Sequence, residues 1–357
     1  MVERQLFHAQ PEVEARIPNR PLKDLSNYVI EGMPADLAAV QEGLLSPAEL
    51  LDRTRAVLLE TPPTVMQQAL LDPSQRDIAA FDLKIVETGL THSGVTPPER
   101  LTALVDTFSQ ATGRPPIITY EELIFVNPLD TDPRTFTTGE VGRAERDFYE
   151  GHHRIEGTME VVNTGMRNAI AALAERGPEA VEEVRESLGE LTAQFKATYE
   201  PMHALGRVMD PKVFNAFRIY FLPLRGLSGA SGAFSASIPE FDYLLGGETL
   251  EPEHVQHLEG NKPYFPSEGY RKMEDARVLS EQGLSLNSLQ QKIGDTTLTE
   301  QLAVIDGALK RFRGMHMAAV AVQLPDVFVG NSAGSTGEPT VPAFLRRRKD
   351  TKHITEA

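Results

Sequence analysis

One histidine lies in a sequence context that suits metal ligation. His316 stands in the segment LKRFRGMHMAAVAVQLP, where basic residues precede it and almost wholly apolar residues follow it. A neutral imidazole on such a helical face can ligate haem iron, but it can equally well pack in a core. This feature alone therefore leaves a ligand and a structural histidine as alternatives.

Three Glu-x-x-His motifs offer a different metal chemistry, since each puts a carboxylate and an imidazole one helical turn apart. The motifs are Glu150/His153, Glu200/His203 and Glu251/His254. Pairs of such motifs on facing helices are how helical bundles hold two iron ions. The first two motifs define the alternative function, a non-haem di-iron helical oxidase, whereas the third follows two glycines in a loop-like stretch.

A loop of small residues and an arginine among aromatic residues point to a ligand. Residues Gly226 to Ser237, GLSGASGAFSAS, let backbone N–H groups and hydroxyls approach a flat or anionic ligand closely. The loop lacks the context of a GxGxxG fingerprint and the lysine of a P-loop, so a flexible connection is the alternative. Arg218 lies in an aromatic stripe, where it can clamp a substrate carboxylate or form a structural salt bridge.

The chain has 357 residues and no cysteine. This absence excludes disulfides, thiolate nucleophiles, iron–sulfur clusters, thiolate-ligated haem and covalent c-type haem. Any metal must therefore be held by histidine, carboxylate, tyrosine or methionine. Serine-hydrolase chemistry is not supported either, because no GxSxG elbow is present.

Charge and hydropathy argue against nucleic-acid and membrane partners. With 51 acidic and 35 basic residues, the formal net charge of −16 would repel a phosphate backbone. The one basic cluster, Arg346-Arg347-Arg348-Lys349, suits the C-terminal end of a helix. No apolar run approaches the roughly 20 residues that a membrane span needs, and the N-terminus lacks a signal or transit pattern. We therefore expect a cytoplasmic protein.

Apolar periodicity predicts a mainly α-helical protein. Capping patterns mark helix starts at Ser46 and Asp72, and only Pro116 to Phe125 has a β-leaning composition. Further helices are expected at about 98–113, 142–175, 178–206, 211–222, 268–283 and 298–324. The turn-rich stretch after residue 128 suggests a boundary. We predict an extended arm over 1–45, a smaller, mostly helical domain over 46–135 and a large helical domain over 136–357.

Several segments, taken in order, resemble the haem-dependent oxygenase superfamily of indoleamine 2,3-dioxygenase and tryptophan 2,3-dioxygenase. The similar segments are Asp210-Pro211-Lys212-Val213-Phe214 with Arg218-Ile219-Tyr220-Phe221, Ser231-Gly232-Ala233 with Phe241-Asp242-Tyr243-Leu244-Leu245-Gly246, Arg313-Gly314-Met315-His316, and Gly334-Ser335-Thr336-Gly337 with Phe344-Leu345. The resemblance covers about residues 72–352. Asn127-Pro128 and Phe221-x-Pro223 are most similar to the monodechloroaminopyrrolnitrin synthase subgroup of the pyrrolnitrin pathway.

The resemblance implies that the large domain is a helical bundle like that of indoleamine 2,3-dioxygenase, with His316 as the proximal ligand to the iron of haem b. It implies further cofactor contacts at Arg313, Asp242 and Ser335, and an Asp242–Arg313 ion pair near the proximal ligand is a related hypothesis. Ser231 is the implied catalytic hydroxyl. The implied substrate contacts are Phe214, Arg218 on a carboxylate, Ser231, Gly232 and Thr336.

The implied activity is oxygenation, with O2, of an aromatic, tryptophan- or tyrosine-like amino acid or derivative in secondary metabolism such as antibiotic biosynthesis. Dioxygenation, monooxygenation and rearrangement all stay open, as do homodimer formation and the use of an electron donor. The residue on the distal side is open too. Lys84 falls near the family's distal position, and His92 is the alternative.

Overall fold

Helices form almost all the regular structure in residues 20–246 and 252–329, which are the residues that the computed structural model describes. Within these ranges no β-strand forms, and an isolated β-bridge pairs Leu224 with Leu227. The expectation of a mainly α-helical fold is therefore confirmed. None of the described helices is both long enough and apolar enough to cross a membrane.

The chain divides into two compact units. Unit 1 comprises Met1–Pro116 and Val126–Phe136, and unit 2 comprises Ile117–Phe125 and Thr137–Ala357. The described part of unit 1 contains α1 (Lys23–Asn27), α2 (Met33–Gln41), α3 (Pro47–Glu60), α4 (Pro63–Leu71), α5 (Pro73–His92) and α6 (Glu99–Thr112). A π-helix, Tyr28–Gly32, joins α1 to α2.

Local capping signals mark where two of the helices of unit 1 begin. The Ser46 hydroxyl accepts a hydrogen bond from the Glu49 backbone N–H at 3.2 Å, and the Glu49 carboxylate accepts one from the Ser46 N–H at 2.8 Å. This capping box starts α3 as predicted. Likewise the Asp72 carboxylate accepts from the Ser74 N–H at 2.9 Å and starts α5.

The extended arm predicted for residues 1–45 is wrong where the structure describes it, from residue 20 onward. This stretch forms α1, the π-helix and α2, because buried apolar residues recur in it every three or four positions. They are Leu22, Leu25, Val29, Met33 and Leu37. Pro34 lies in the first turn of α2, where proline is tolerated.

Unit 2 carries the longest helices of the described chain. Its α-helices are α7 (Gly139–Arg176), α8 (Val181–Lys196), α9 (Tyr199–His203), α10 (Pro211–Arg218), α11 (Ser237–Leu245), α12 (Pro252–Gly260), α13 (Ser267–Glu281), α14 (Leu286–Ile293), α15 (Thr296–Gln323) and α16 (Pro325–Phe328). α7 packs against α8, α10 and α11, and α15 packs against α8, α9 and α10. These two helices form the frame of the candidate site.

The β-leaning composition of Pro116 to Phe125 does not produce a strand. Instead, Glu122–Val126 is a π-helix. The Glu122 carboxylate accepts hydrogen bonds from the backbone N–H and the hydroxyl of Thr119 at 2.9 and 3.0 Å. This local cap favours a helical turn over the β propensity of the apolar residues that follow.

Candidate functional site

His316 lies in the second half of α15, a helix that begins where the Asp295 carboxylate accepts a hydrogen bond from the Leu298 N–H at 2.9 Å. Its side chain is enclosed by unit 2 yet keeps part of its surface accessible. Burial, with a smaller contribution from charge on His152, lowers the pKa of His316 to about 4. The imidazole is therefore neutral near pH 7, which is the form that ligates metals.

A buried ion pair lies one helical turn before His316. The Arg313 Nη2 donates to both carboxylate oxygens of Asp242, at 2.5 and 2.6 Å, and so connects α15 to α11. Both side chains are buried. The structure thus contains the Asp242–Arg313 pair that the sequence suggested. The Nε and Nη1 atoms of Arg313 are also buried and have no hydrogen-bond partner in the described structure.

His152 on α7 is the residue that sequence reasoning missed. Its Nδ1 lies 2.9 Å from the Phe148 carbonyl oxygen. Since a carbonyl can only accept, Nδ1 carries the proton and Nε2 carries a lone pair. Burial lowers the pKa of His152, so the neutral form of the imidazole is favoured over the protonated form. The ring is close enough to His316 for its charge to disfavour protonation there.

The sequence held a signal for His152 in the spacing of α7. Buried residues along this helix recur every three or four positions, and His152 falls on the same stripe. The buried members around it are Glu145, Tyr149, Glu156, Met159 and Asn163. Because three of these five are polar, an apolar pattern does not reveal the stripe, and the His152-His153 pair looks like part of a solvated helix start.

A π-helix at Ala204–Val208 separates the two helices that carry the histidines, and it approaches both closely. On the α7 side, a Cβ added at Gly151 would lie 3.1 Å from the Leu205 side chain. On the α15 side, a Cβ added at Gly206 would lie 2.5 Å from the Cβ of Ala319. Since the second distance is shorter than van der Waals contact, only glycine permits this approach. π-Helical turns are frequent at functional sites.

The serine–glycine loop, residues Gly226 to Ser237, borders His152. A Cβ added at Gly232 would lie 3.8 Å from the Nε2 of His152, so the backbone of this loop faces the lone pair of the imidazole. The neighbouring Ser231 hydroxyl accepts a hydrogen bond from the Ala233 N–H at 3.2 Å and starts a short 3₁₀ turn. The loop is thus a defined structure rather than only a connection.

Aromatic rings from α7 and α10 form a cluster next to His152. The Phe148 ring centroid lies 4.3 Å from that of His152 and 5.5 Å from that of Phe214. Phe217 and Phe221 complete the cluster at 5.6 and 6.2 Å from Phe148. The aromatic residues of α10 and of the 3₁₀ turn after it therefore pack against Phe148 of α7.

Arg218 ends α10 and lacks a counter-charge in the described structure. Its Nε and Nη2 atoms are buried and have no hydrogen-bond partner. Burial lowers the pKa of its guanidinium. The pKa of an arginine lies so far above neutral pH that the group is still charged at pH 7. A buried, unpaired cation of this kind favours binding of an anion such as a carboxylate.

The Glu-x-x-His residues of the di-iron alternative lie apart from this arrangement. Glu150 and His203 are exposed, and the exposed Glu200 pairs with Arg154. The His153 Nδ1 lies 2.9 Å from the Ile124 carbonyl oxygen. Across residues 20–246 and 252–329, no three or more histidine, aspartate or glutamate side chains form a group that could hold a metal ion. His254 falls in the described range, but its side chain does not, and Glu251 lies outside it.

Other predicted residues lie elsewhere. Lys84 and His92 belong to α5 of unit 1 and are not among the unit 2 side chains described above. Lys84 is fully buried, and burial lowers the pKa of His92. The predicted Ser335 and Thr336, with the whole Gly334–Gly337 loop and Phe344-Leu345, lie outside the described residues.

No protein-family model matches the chain, and no curated protein is significantly similar to it.

Proposed function

We propose that this protein is a histidine-ligated, haem-dependent oxygenase that acts with O2 on an aromatic amino acid or a derivative of one. The observation that carries the proposal is His316, an enclosed imidazole whose pKa of about 4 keeps it neutral. It lies beside a second neutral imidazole, His152, and one turn after the buried Arg313. In a chain without cysteine, histidine is the usual ligand for haem iron.

The residues around His316 fit a haem in their donor chemistry. Buried N–H groups in proteins almost always have acceptors. The Nε and Nη1 atoms of Arg313 have no acceptor in the described structure. The propionate carboxylates of a haem carry the opposite charge and would accept hydrogen bonds from these atoms. Asp242 would still accept the hydrogen bonds from Nη2 and so fix the orientation of the Arg313 side chain. We infer that His316 ligates the iron and that Arg313 binds the periphery of the haem.

When bound, ferrous haem supplies the activation of O2 beside an electron-rich aromatic ring. The residues of the chain then have the task of binding and orienting the substrate. Arg218 would donate two hydrogen bonds to its carboxylate, since Nε and Nη2 are both unused. Phe214 and Phe148 would pack against its ring. Ser231 and Thr336 are proposed to add hydroxyl contacts.

His152 would present an acceptor to the substrate. Because its Nδ1 proton is held by the Phe148 carbonyl, Nε2 is free to accept a hydrogen bond from a ring N–H or O–H. The Phe148–His152 contact orients the imidazole, and a neutral histidine can also take up a proton from the substrate. An aromatic ring with its own N–H or O–H and a carboxylate therefore suits this set of side chains.

The absorption spectrum of the haem-loaded protein tests the proposal. We expect a Soret band in the wild type and its loss in His316→Ala. His153→Ala is the matched control, because this exposed histidine one residue after His152 should leave the band unchanged. A colourless protein with two irons per chain, or a Soret band unaffected by His316→Ala, would overturn the proposal.

A second measurement addresses the substrate. Aromatic amino acids that bind beside the haem should shift its absorption spectrum, and mass spectrometry of the products identifies how many oxygen atoms are added. Arg218→Ala should weaken binding of the amino acid about 10- to 100-fold, as expected for loss of charge-assisted hydrogen bonds worth about 1.5–3 kcal/mol. Equal binding by both proteins would remove Arg218 from the proposed site.

A further inference from the structure

A buried carboxyl group lies one helical turn after His152 on the same face of α7. Glu156 is only 6% exposed, and the substrate and haem contacts proposed above do not use it. Burial raises the pKa of this carboxyl group, and hydroxyl groups bonded to it oppose the rise. A buried carboxyl is costly unless it is well hydrogen-bonded, so its partners deserve explanation.

One oxygen of Glu156 holds a ring that borders His152. The Tyr120 hydroxyl donates to Oε1 of Glu156 at 2.8 Å. The Tyr120 ring meets the His152 ring edge-on, with centroids 6.1 Å apart and planes at 79°. Phe148 lies against the imidazole as well, with its ring centroid at 4.3 Å. The imidazole is thus in contact with two rings, and Glu156 anchors one of them.

The other oxygen of Glu156 holds the serine–glycine loop. The Ser237 hydroxyl donates to Oε2 of Glu156 at 2.7 Å, and the Ser235 and Ser237 hydroxyl oxygens lie 3.0 Å apart. These serines end the loop whose Gly232 faces the Nε2 of His152. The two oxygens of Glu156 therefore hold two separate segments that border one imidazole.

We propose that Glu156 is a positioning residue of the site: by holding Tyr120 and Ser237 together, it fixes the orientation of the His152 ring and the approach of the serine–glycine loop to Nε2. The functional meaning of this orientation rests on the function proposed above for His152. The orientation itself does not. Side chains that act in a reaction need such support, because a loosely held group loses its productive geometry.

The same helix contains a matched control. Glu145 is also buried on α7, and it accepts hydrogen bonds from the Tyr149 hydroxyl at 2.6 Å and from the Thr137 hydroxyl at 2.5 Å. This set has the same chemistry as Glu156 with Tyr120 and Ser237. The Tyr149 ring contacts Phe148 and Phe221 in the described structure rather than the His152 ring. Removing the Tyr149 hydroxyl should therefore perturb α7 without moving His152.

The test is the tautomer of His152, measured by nitrogen NMR on the full-length, haem-free protein with labelled histidine. His152→Ala assigns the resonance. The wild type should show the Nδ1-protonated tautomer. Glu156→Leu should lose this tautomer of His152. Tyr120→Phe and Ser237→Ala should each shift the His152 resonances. Glu156→Gln should retain the tautomer, because an amide can still accept one of the two hydrogen bonds and donate in the other.

The variant Tyr149→Phe should leave the His152 resonances as in the wild type. The proposal is overturned if folded Glu156→Leu keeps the wild-type signal, or if Tyr149→Phe changes it as much as Tyr120→Phe does. If Glu156→Leu does not fold, Tyr120→Phe and Ser237→Ala test the proposal in its place. Wild-type His152 resonances in both of these variants would overturn the proposal. Since the measurement needs no haem, its outcome is separate from the Soret test of the proposed function.

Discussion

The substitution Asp242→Asn tests the buried ion pair that lies one helical turn before His316. Asp242 has no exposed side-chain surface and Arg313 has 7%. Loss of the carboxylate charge would leave a buried guanidinium whose Nε and Nη1 already lack partners. Breaking such a pair by removing one member costs about 3–5 kcal/mol, which corresponds to roughly two to four powers of ten in the unfolding equilibrium.

Urea unfolding followed by circular dichroism measures this loss, and hydrogen exchange shows whether α11 and α15 are the helices that open. Haem affinity should fall about tenfold or more, as is typical when the support of a metal ligand is removed. The double variant Asp242→Leu/Arg313→Met separates the two effects. It should regain most of the stability, since it buries no charge, but it should not regain haem affinity.

Asp82 provides the control for this experiment. It forms a fully buried ion pair with Arg134 at 2.9 Å in unit 1. Asp82→Asn should cost a similar stability, but exchange in α15 and haem affinity should stay at the wild-type level. The reasoning is refuted if Asp242→Asn leaves the unfolding free energy and haem affinity unchanged, or if Asp82→Asn lowers haem affinity equally.

Three further outcomes are expected. Gly206→Ala should destabilise the protein by about 1–3 kcal/mol in urea unfolding, since its Cβ would meet Ala319; Ala319→Gly should restore part of the loss. Arg218→Met should not lower stability, but it should abolish any binding preference for an aromatic amino acid over its methyl ester. Glu156→Gln should gain stability relative to wild type as pH rises above about 4.3, because burial raises the pKa of this carboxyl in the folded state. A pH-independent difference would contradict the last.

Most helices could be predicted from the sequence because their signals are local. The capping box at Ser46 and the Asp210-Pro211 start of α10 each involve residues within four positions of one another. The helices between residues 20 and 45 start without a side-chain cap, so only the spacing of their buried apolar residues indicates them. The π-helix at Ala204–Val208 has no comparable local signature; it depends on helices that pack around it.

The site was predictable in part for the same reason. Arg313 and His316 lie three residues apart on one helix, so a sequence motif captures them together. Asp242 joins them across 71 positions, and only the resemblance connected it to them. His152 is harder to identify from the sequence, because its stripe on α7 is partly polar and its importance arises from the packing of α7 beside the π-helix and the serine–glycine loop. Helix packing is determined by many residues at once and leaves no short motif.

The charge balance of the chain bears on what occupies the site. Buried carboxylates such as Asp82 and Asp242 each face an arginine, Arg134 and Arg313 respectively. Arg218 has no such counter-charge among the described residues, although the chain holds 51 acidic residues against 35 basic ones. An acidic residue on a neighbouring helix could have formed an ion pair with Arg218, since the chain is rich in such residues. Since a buried unpaired cation lowers stability, the function proposed above assigns Arg218 a substrate carboxylate as its counter-charge.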